Sequence, residues 1–139
     1  MRRILLGLTA VLAALVVTTW WALESSEVLT IETHRADGSV RSTHVWWIEW
    51  NGQLWLEAGS PTNGWFVDVE KRPEITVRWE EGPREYVALP APGDAVHGWI
   101  RALIREKYGF RDWWINRIVD TTESIGVRLM LPEEMQSTQ

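Results

Sequence analysis

VRSTHVWWIEW-NG-QLWLEA, running from Val40 to Ala58, decides the fold. Its two arms are rich in β-branched and aromatic residues. The Asn51-Gly52 pair between them is the dipeptide that best tolerates the two positive φ angles of a two-residue hairpin turn. The stretch predicts a hairpin with a long first strand, Val40–Trp50, and a second strand, Gln53–Ala58. Along the first arm Trp46, Ile48 and Trp50 share one face while Val45, Trp47 and Glu49 share the other, so indoles point both ways. One face must be core. The other is suited to a flat pocket for a conjugated ring, a dimer interface or a lipid headgroup layer.

Working outward, Val28–His34 alternates apolar and polar residues as a half-buried strand does, and Ala36-Asp37-Gly38-Ser39 has turn composition. Downstream, Gly59–Gly64 reads as a loop and Trp65–Glu70 fits either a short helix or a strand. Ile75–Trp79 and Arg84–Leu89 bracket a second turn at Glu80–Pro83. After Pro92-Gly93, Asp94 is placed to cap a helix in which Val96, Ile100, Leu103, Ile104 and Tyr108 recur at helical spacing, and Gly109 ends it. Phe110–Asp120 reads as a short further helical piece, Ile125–Leu131 as a sixth strand that closes a barrel, and Pro132 onward as polar tail. Six short strands and one main helix predict a mainly β (α+β) domain: a six-stranded split β-barrel with one helix packed on it. The expected domain spans residues 26–133, with a tail at 134–139.

The chain has 139 residues, room for one such domain. Ile4–Leu23 carries no charge, and twenty residues at 1.5 Å each extend about 30 Å, the depth of a hydrocarbon core. Residues 1–25 therefore read as an uncleaved transmembrane anchor, with Trp20 and Trp21 at an interface and membrane lipid as partner. Arg2 and Arg3 put the N-terminus in the cytoplasm by the positive-inside rule, giving a single-pass cell-membrane protein. Of the 14 basic residues, 12 follow this segment, against 19 acidic ones. That balance disfavours nucleic acid as a partner. The absence of cysteine excludes disulfides, thiolate metal sites and cysteine nucleophiles. His34, His44 and His97 have no metal-ligand spacing, so no metal site is expected.

No serine lies in a G-x-S-x-G elbow and no glycine-rich phosphate loop is present, which argues against hydrolase and nucleoside-triphosphate chemistry. The more suggestive cluster is His34–His44, a turn between strands with two arginines, two histidines and three hydroxyls. Guanidinium groups and turn N–H groups together suit an anion. The plainer alternative is that Arg35 and Arg41 are hairpin surface charges paired with Glu32 or Asp37. Trp113-Trp114 is a candidate lid or membrane-facing edge.

Between His34 and Leu89 the chain resembles the nitroreductase/quinone reductase family of deazaflavin-dependent oxidoreductases, within the split β-barrel flavin-binding superfamily. Arg35-Ala36-Asp37-Gly38-Ser39-Val40-Arg41 is similar to that family's R-K-S-G-x-x-R turn. Leu56-Glu57-Ala58-Gly59-Ser60 is similar to its strand end and glycine-rich loop, and Trp65–Pro73 matches its W-Y-x-N-L-x-A-N-P segment in outline. The resemblance covers about half of the chain. It implies a deazaflavin coenzyme (coenzyme F-420), with FMN as the alternative, bound by Arg35, Gly38, Arg41, Ser42, Ala58, Gly59, Ser60 and Trp65. Hydride would pass to a lipophilic quinone-like or nitroaromatic acceptor, in a protein that often dimerises across its barrel. The residues to either side depart from the family: Ala36 stands where a lysine is expected, and the glycine-rich loop lacks another. A charge-assisted hydrogen bond contributes roughly 1.5–3 kcal/mol, so the two losses weaken cofactor binding by about one to four decades unless replaced, in part by His34 or His44. The alternative implied by these departures is a non-enzymatic split-barrel binding module or membrane-complex subunit.

Overall fold

The computed structural model describes residues 2–24 and 27–136. In chain order they form α1 (Arg2–Glu24), β1 (Leu29–His34), β2 (Val40–Val45), β3 (Trp47–Trp50), β4 (Gln53–Ala58), α2 (Gly64–Lys71), β5 (Glu74–Trp79), β6 (Gly82–Ala91), α3 (Asp94–Tyr108), α4 (Phe110–Ile115), β7 (Ile125–Met130) and α5 (Pro132–Gln136). All strand pairs are antiparallel, in the order β2-β1-β5-β6-β7-β4-β3. The Asn51-Gly52 hairpin is as expected, with φ of 51° and 71° at its two central residues. Trp47 faces Leu56 across it and Trp50 faces Gln53.

The long strand expected over Val40–Trp50 is instead two strands broken at Trp46. This corrects the count from six to seven. The break has a topological reason. β2 and β3 are consecutive in the chain yet stand at the two ends of the strand order, so one continuous segment must leave one end of the curled sheet and enter the other. At the bend Trp46 donates nothing to the ladder, and its carbonyl accepts a long bond from Glu57 N, 3.4 Å. β7 lies between β6 and β4, where it joins the β2-β1-β5-β6 portion to the β4-β3 hairpin.

Two apolar clusters lie on opposite faces of the sheet. The first gathers alternate residues of β1 (Leu29, Ile31), β5 (Ile75, Val77) and β7 (Val127, Leu129) around Trp65, Phe66 and Val69 of α2. The segment that fitted either helix or strand is therefore helix. The second cluster joins Ile48 to Ile100, Ile104 and Tyr108 of α3. α3 crosses β7 closely at Gly126, where an added Cβ would stand 3.1 Å from both Ile100 Cδ1 and Val96 Cγ1. Gly93, with φ 127°, occupies the cap position expected of Asp94, which sits in the first turn; Gly109, with φ 51°, ends the helix as expected. Each large side chain buried in these clusters contributes about 1.5–3 kcal/mol. Both tryptophan faces of the Val40–Trp50 segment are thereby used in packing. Trp46 stacks on Tyr108, ring centroids 4.5 Å apart, while Trp47 meets Trp79 edge-on at 5.9 Å.

The N-terminal segment is helical, but among the described residues no helix is long and apolar enough to cross a membrane. The expected transmembrane anchor and single-pass membrane localisation are corrected on that finding. The far end of α1 is committed to protein contacts. Thr18 and Thr19 are half-buried, Ala22 is fully buried, and the Thr19 hydroxyl accepts a 3.0 Å bond from Trp114 Nε1 on α4. Trp114 is accordingly a docking residue for α1, and Trp113 is left exposed. The polar tail expected from Pro132 begins with α5; residues 137–139 lie outside the described part.

Candidate functional site

The β1–β2 turn satisfies itself. Arg35 N donates to Ser39 O at 2.9 Å and Gly38, at φ 84°, donates to Arg35 O at 3.0 Å. The Asp37 carboxylate takes the Ser39 N–H at 2.9 Å and the Ser39 hydroxyl at 2.6 Å, bonds that hold its pKa below the usual aspartate value. Arg35 Nη1 donates to the same Ser39 hydroxyl at 3.2 Å. An internal carboxylate thus occupies the donors that an external anion would use.

Two residues beyond the turn, Arg41 enters a different environment. It points from β2 toward α2, where its Nε donates at 2.7 Å to Oδ2 of the buried Asp68. Thr33 of β1, fully buried, donates to the same oxygen at 2.9 Å. Burial alone would raise the Asp68 pKa, but the Arg41 and Thr33 donors outweigh it and hold the carboxyl below its ordinary value. The far end of Arg41 rests on the start of α2: a Cβ added to Gly64 would lie 2.7 Å from Cζ and Nη1. Glycine here is a matter of space.

Arg41 and Gly64 border a cleft of about 670 Å³ between the β2–β3 bend, the end of β4, the start of α2 and the segment after α4. Of the residues singled out from sequence, Arg41, Ser42, Gly59 and Trp65 line it. Arg35 and Gly38 stay in the exposed turn, Ala58 is fully buried in the first cluster, and the Ser60 hydroxyl bonds Thr62 Oγ1 at 2.8 Å in the loop. His44 lines the cleft; His34, at the end of β1, does not.

The sequence reading missed the floor of this cleft. Arg101 of α3, only 8% exposed, reaches across to β4 and donates through Nη1 to both oxygens of Glu57, at 3.0 and 2.8 Å. Its Nη2 donates to Asp112 Oδ1 on α4. Desolvation pulls the guanidinium pKa down, but Glu57 and Asp112 outweigh it and hold the group charged more firmly than a free arginine. The signal was present. His97, Arg101, Ile104 and Tyr108 fall on one helical stripe, and Glu57 shares a strand face with Trp55, which α3 covers. A charge on each of two covered faces is the pattern of a buried pair.

No protein-family model and no curated protein matches the sequence. Solved structures do. A conserved hypothetical protein from Mycobacterium tuberculosis superposes with a TM-score of 0.58 at 17% identity, over 84% of this chain and 78% of its own. A pyridoxamine 5'-phosphate oxidase candidate from Listeria innocua gives 0.55 at 11% identity, over 78% and 86%. An F-420-H2-dependent reductase gives 0.52 at 17% identity, over 74% and 94%. At such identities the likeness is one of fold, and this chain shares the split-barrel fold of these structures.

Proposed function

We propose that the chain is an oxidoreductase of the deazaflavin-dependent nitroreductase/quinone reductase type, holding a deazaflavin, or alternatively FMN, in the 670 Å³ cleft. The observation that carries this is the placement of Arg41. Only its Nε is used by Asp68, and its Nη end lies against the first residue of α2. A guanidinium beside a helix N-terminus is suited to an anionic tail. The cleft has the volume of a cofactor pocket, and the rings of Trp46 and Trp65 supply flat apolar wall.

In this reading Arg41 holds the tail, the backbone of Gly59 and the neighbouring Ala58 and Ser60 borders the ring, and Ser42 lies along the rim. Trp65, 4% exposed, supports the cleft from the core side. A bound deazaflavin or flavin supplies the hydride chemistry. The chain's own part is to bind, to orient and to keep water from the ring. The barrel domain is taken as residues 26–133, the acceptor as a lipophilic quinone-like or nitroaromatic molecule, and the assembly as a homodimer across the barrel.

A second reading is a binding module without catalysis, and one observation favours it. Both guanidinium groups of the cleft are matched by acids, Arg41 by Asp68 and Arg101 by Glu57 and Asp112. Titrating the full chain with coenzyme F-420 and separately with FMN, followed by tryptophan fluorescence, separates the two. Saturable quenching that Arg41→Ala weakens by about tenfold to a hundredfold supports the oxidoreductase. A folded protein that quenches with neither coenzyme is the binding module.

A further inference from the structure

On the other side of Arg101 lies a second cleft, of about 480 Å³, between α3 and α4. Arg101 and Thr121 line both clefts, so the buried ion triad is the partition between them. Three features of this second cleft call for a ligand of one kind.

The first is an acceptor without a donor. Asp112 is 1% exposed; its Oδ1 is taken by Arg101, but its Oδ2, also buried, has no hydrogen-bond partner. Arg105 Nε forms an ion pair with it at 3.8 Å, too long for a hydrogen bond. Buried carboxylate oxygens are almost always satisfied, and Asp112 lines the cleft. The second feature is a pair of donors at the mouth. Arg105 is 73% exposed along its side chain, and Arg117 is held with its guanidinium 4.3 Å over the Trp113 ring. That stacking fixes the plane and leaves the N–H edge open; no ion pair to Arg117 is found among the described residues. The third is charge. Among the side chains that line the cleft or bond Arg101, three arginines, Arg101, Arg105 and Arg117, outnumber the two carboxylates, Glu57 and Asp112.

We propose that this cleft binds a small α-hydroxy carboxylate. The carboxylate bridges Arg105 and Arg117, and the adjacent hydroxyl donates to Asp112 Oδ2. The charge count selects a hydroxyl over an ammonium as the donor. A hydroxy acid brings the single negative charge that neutralises the site, whereas an amino acid brings none and sets its ammonium among three guanidinium groups. The assignment does not rest on the oxidoreductase reading, and its test uses no cofactor.

The test is calorimetric titration of the full chain with glycolate, with acetate and inorganic phosphate as comparisons. Saturable binding of glycolate, about tenfold tighter than acetate, and weakened about tenfold in Arg117→Gln, supports the assignment. Arg117 is on the surface, so that variant keeps the fold. Absence of saturable heat with glycolate overturns the proposal. So does acetate or phosphate binding as tightly as glycolate, since then no hydroxyl meets Asp112, and so does an Arg117→Gln variant that binds glycolate unchanged.

Discussion

Arg101→Met removes the cation from a buried triad; Glu57, 9% exposed, loses its counter-charge, and Asp112, 1% exposed, keeps only the exposed Arg105, 3.8 Å from its Oδ2. Methionine keeps the length and apolar stem of arginine, so the packing of α3 on β4 changes little. The loss is electrostatic. Deleting one partner of a buried ion pair costs about 3–5 kcal/mol, because the abandoned charge stays desolvated. For a domain of this size that lowers Tm by roughly 12–20 °C, read from far-ultraviolet circular dichroism of the full chain. Removing the stranded acids gives a sharper signature. Combining Arg101→Met with Glu57→Gln and Asp112→Asn removes the stranded charges and should restore most of the loss. A single variant that loses less than about 1 kcal/mol, or a triple variant no more stable than the single one, refutes the view that the triad is a desolvated, mutually dependent unit.

Asp68 is held below its ordinary pKa, so the stability it contributes is present above about pH 4 and is lost as pH falls through its folded value. Arg41→Ala should shrink that acid-side loss, measured as the urea midpoint between about pH 5 and about pH 2; an unchanged acid limb would mean Thr33 alone sets the shift. Lys107 lies 3.2 Å over the Trp47 ring, and burial first, then Arg111, outweigh Glu27 and bring its pKa down from 10.5 to about 8. Between those values the unfolded chain binds the extra proton, so stability should rise with pH from about 8 to about 10.5. Urea midpoints across that range should lose the rise in Lys107→Met. Gly64→Ala puts a Cβ 2.7 Å from the Arg41 guanidinium, the movable end of a flexible side chain. It should shift Tm by less than about 4 °C yet weaken coenzyme quenching, and a variant that binds as the parent does would detach Arg41 from the proposed site.

The elements legible in the sequence are those decided locally. Asn51-Gly52 specifies its turn through the φ angles those two residues tolerate, and the α3 stripe from Val96 to Tyr108 repeats at the helical period whatever covers it. The break at Trp46 is decided elsewhere. Nothing in Val45-Trp46-Trp47 opposes a continuous strand; the bend exists because β1 and β4, which pair with the two halves, lie near opposite ends of the sheet. In Trp65–Glu70, Trp65, Val67 and Val69 suit a strand while Trp65, Phe66 and Val69 suit a helix turn, and six residues cannot separate the two periods. Packing does, by burying Phe66 and Val69 with Asp68 toward Thr33. The apolar run near the N-terminus was misread as a span because hydropathy measures composition, while its length available to lipid depends on where Thr19 and Ala22 dock.

The site followed the same division. Arg35 and Arg41 look equivalent in a turn of mixed charge, yet one remains in solvent beside Asp37 and the other is drawn to Asp68, 27 residues away, on a helix the sequence left ambiguous. A pairing with Glu32 or Asp37 was the plainer expectation, but Glu32 faces β5 and takes Arg78, at 2.7 Å, and Asp37 takes the Ser39 donors. Strand neighbours, not sequence neighbours, choose the partner. Arg101 carries the point further. Its side chain sits on the covered face of α3, where an arginine costs desolvation unless two acids meet it, and those acids come from β4 and α4. Here it lies between two clefts, where an apolar residue could fill the space but could not present a fixed charge to both sides.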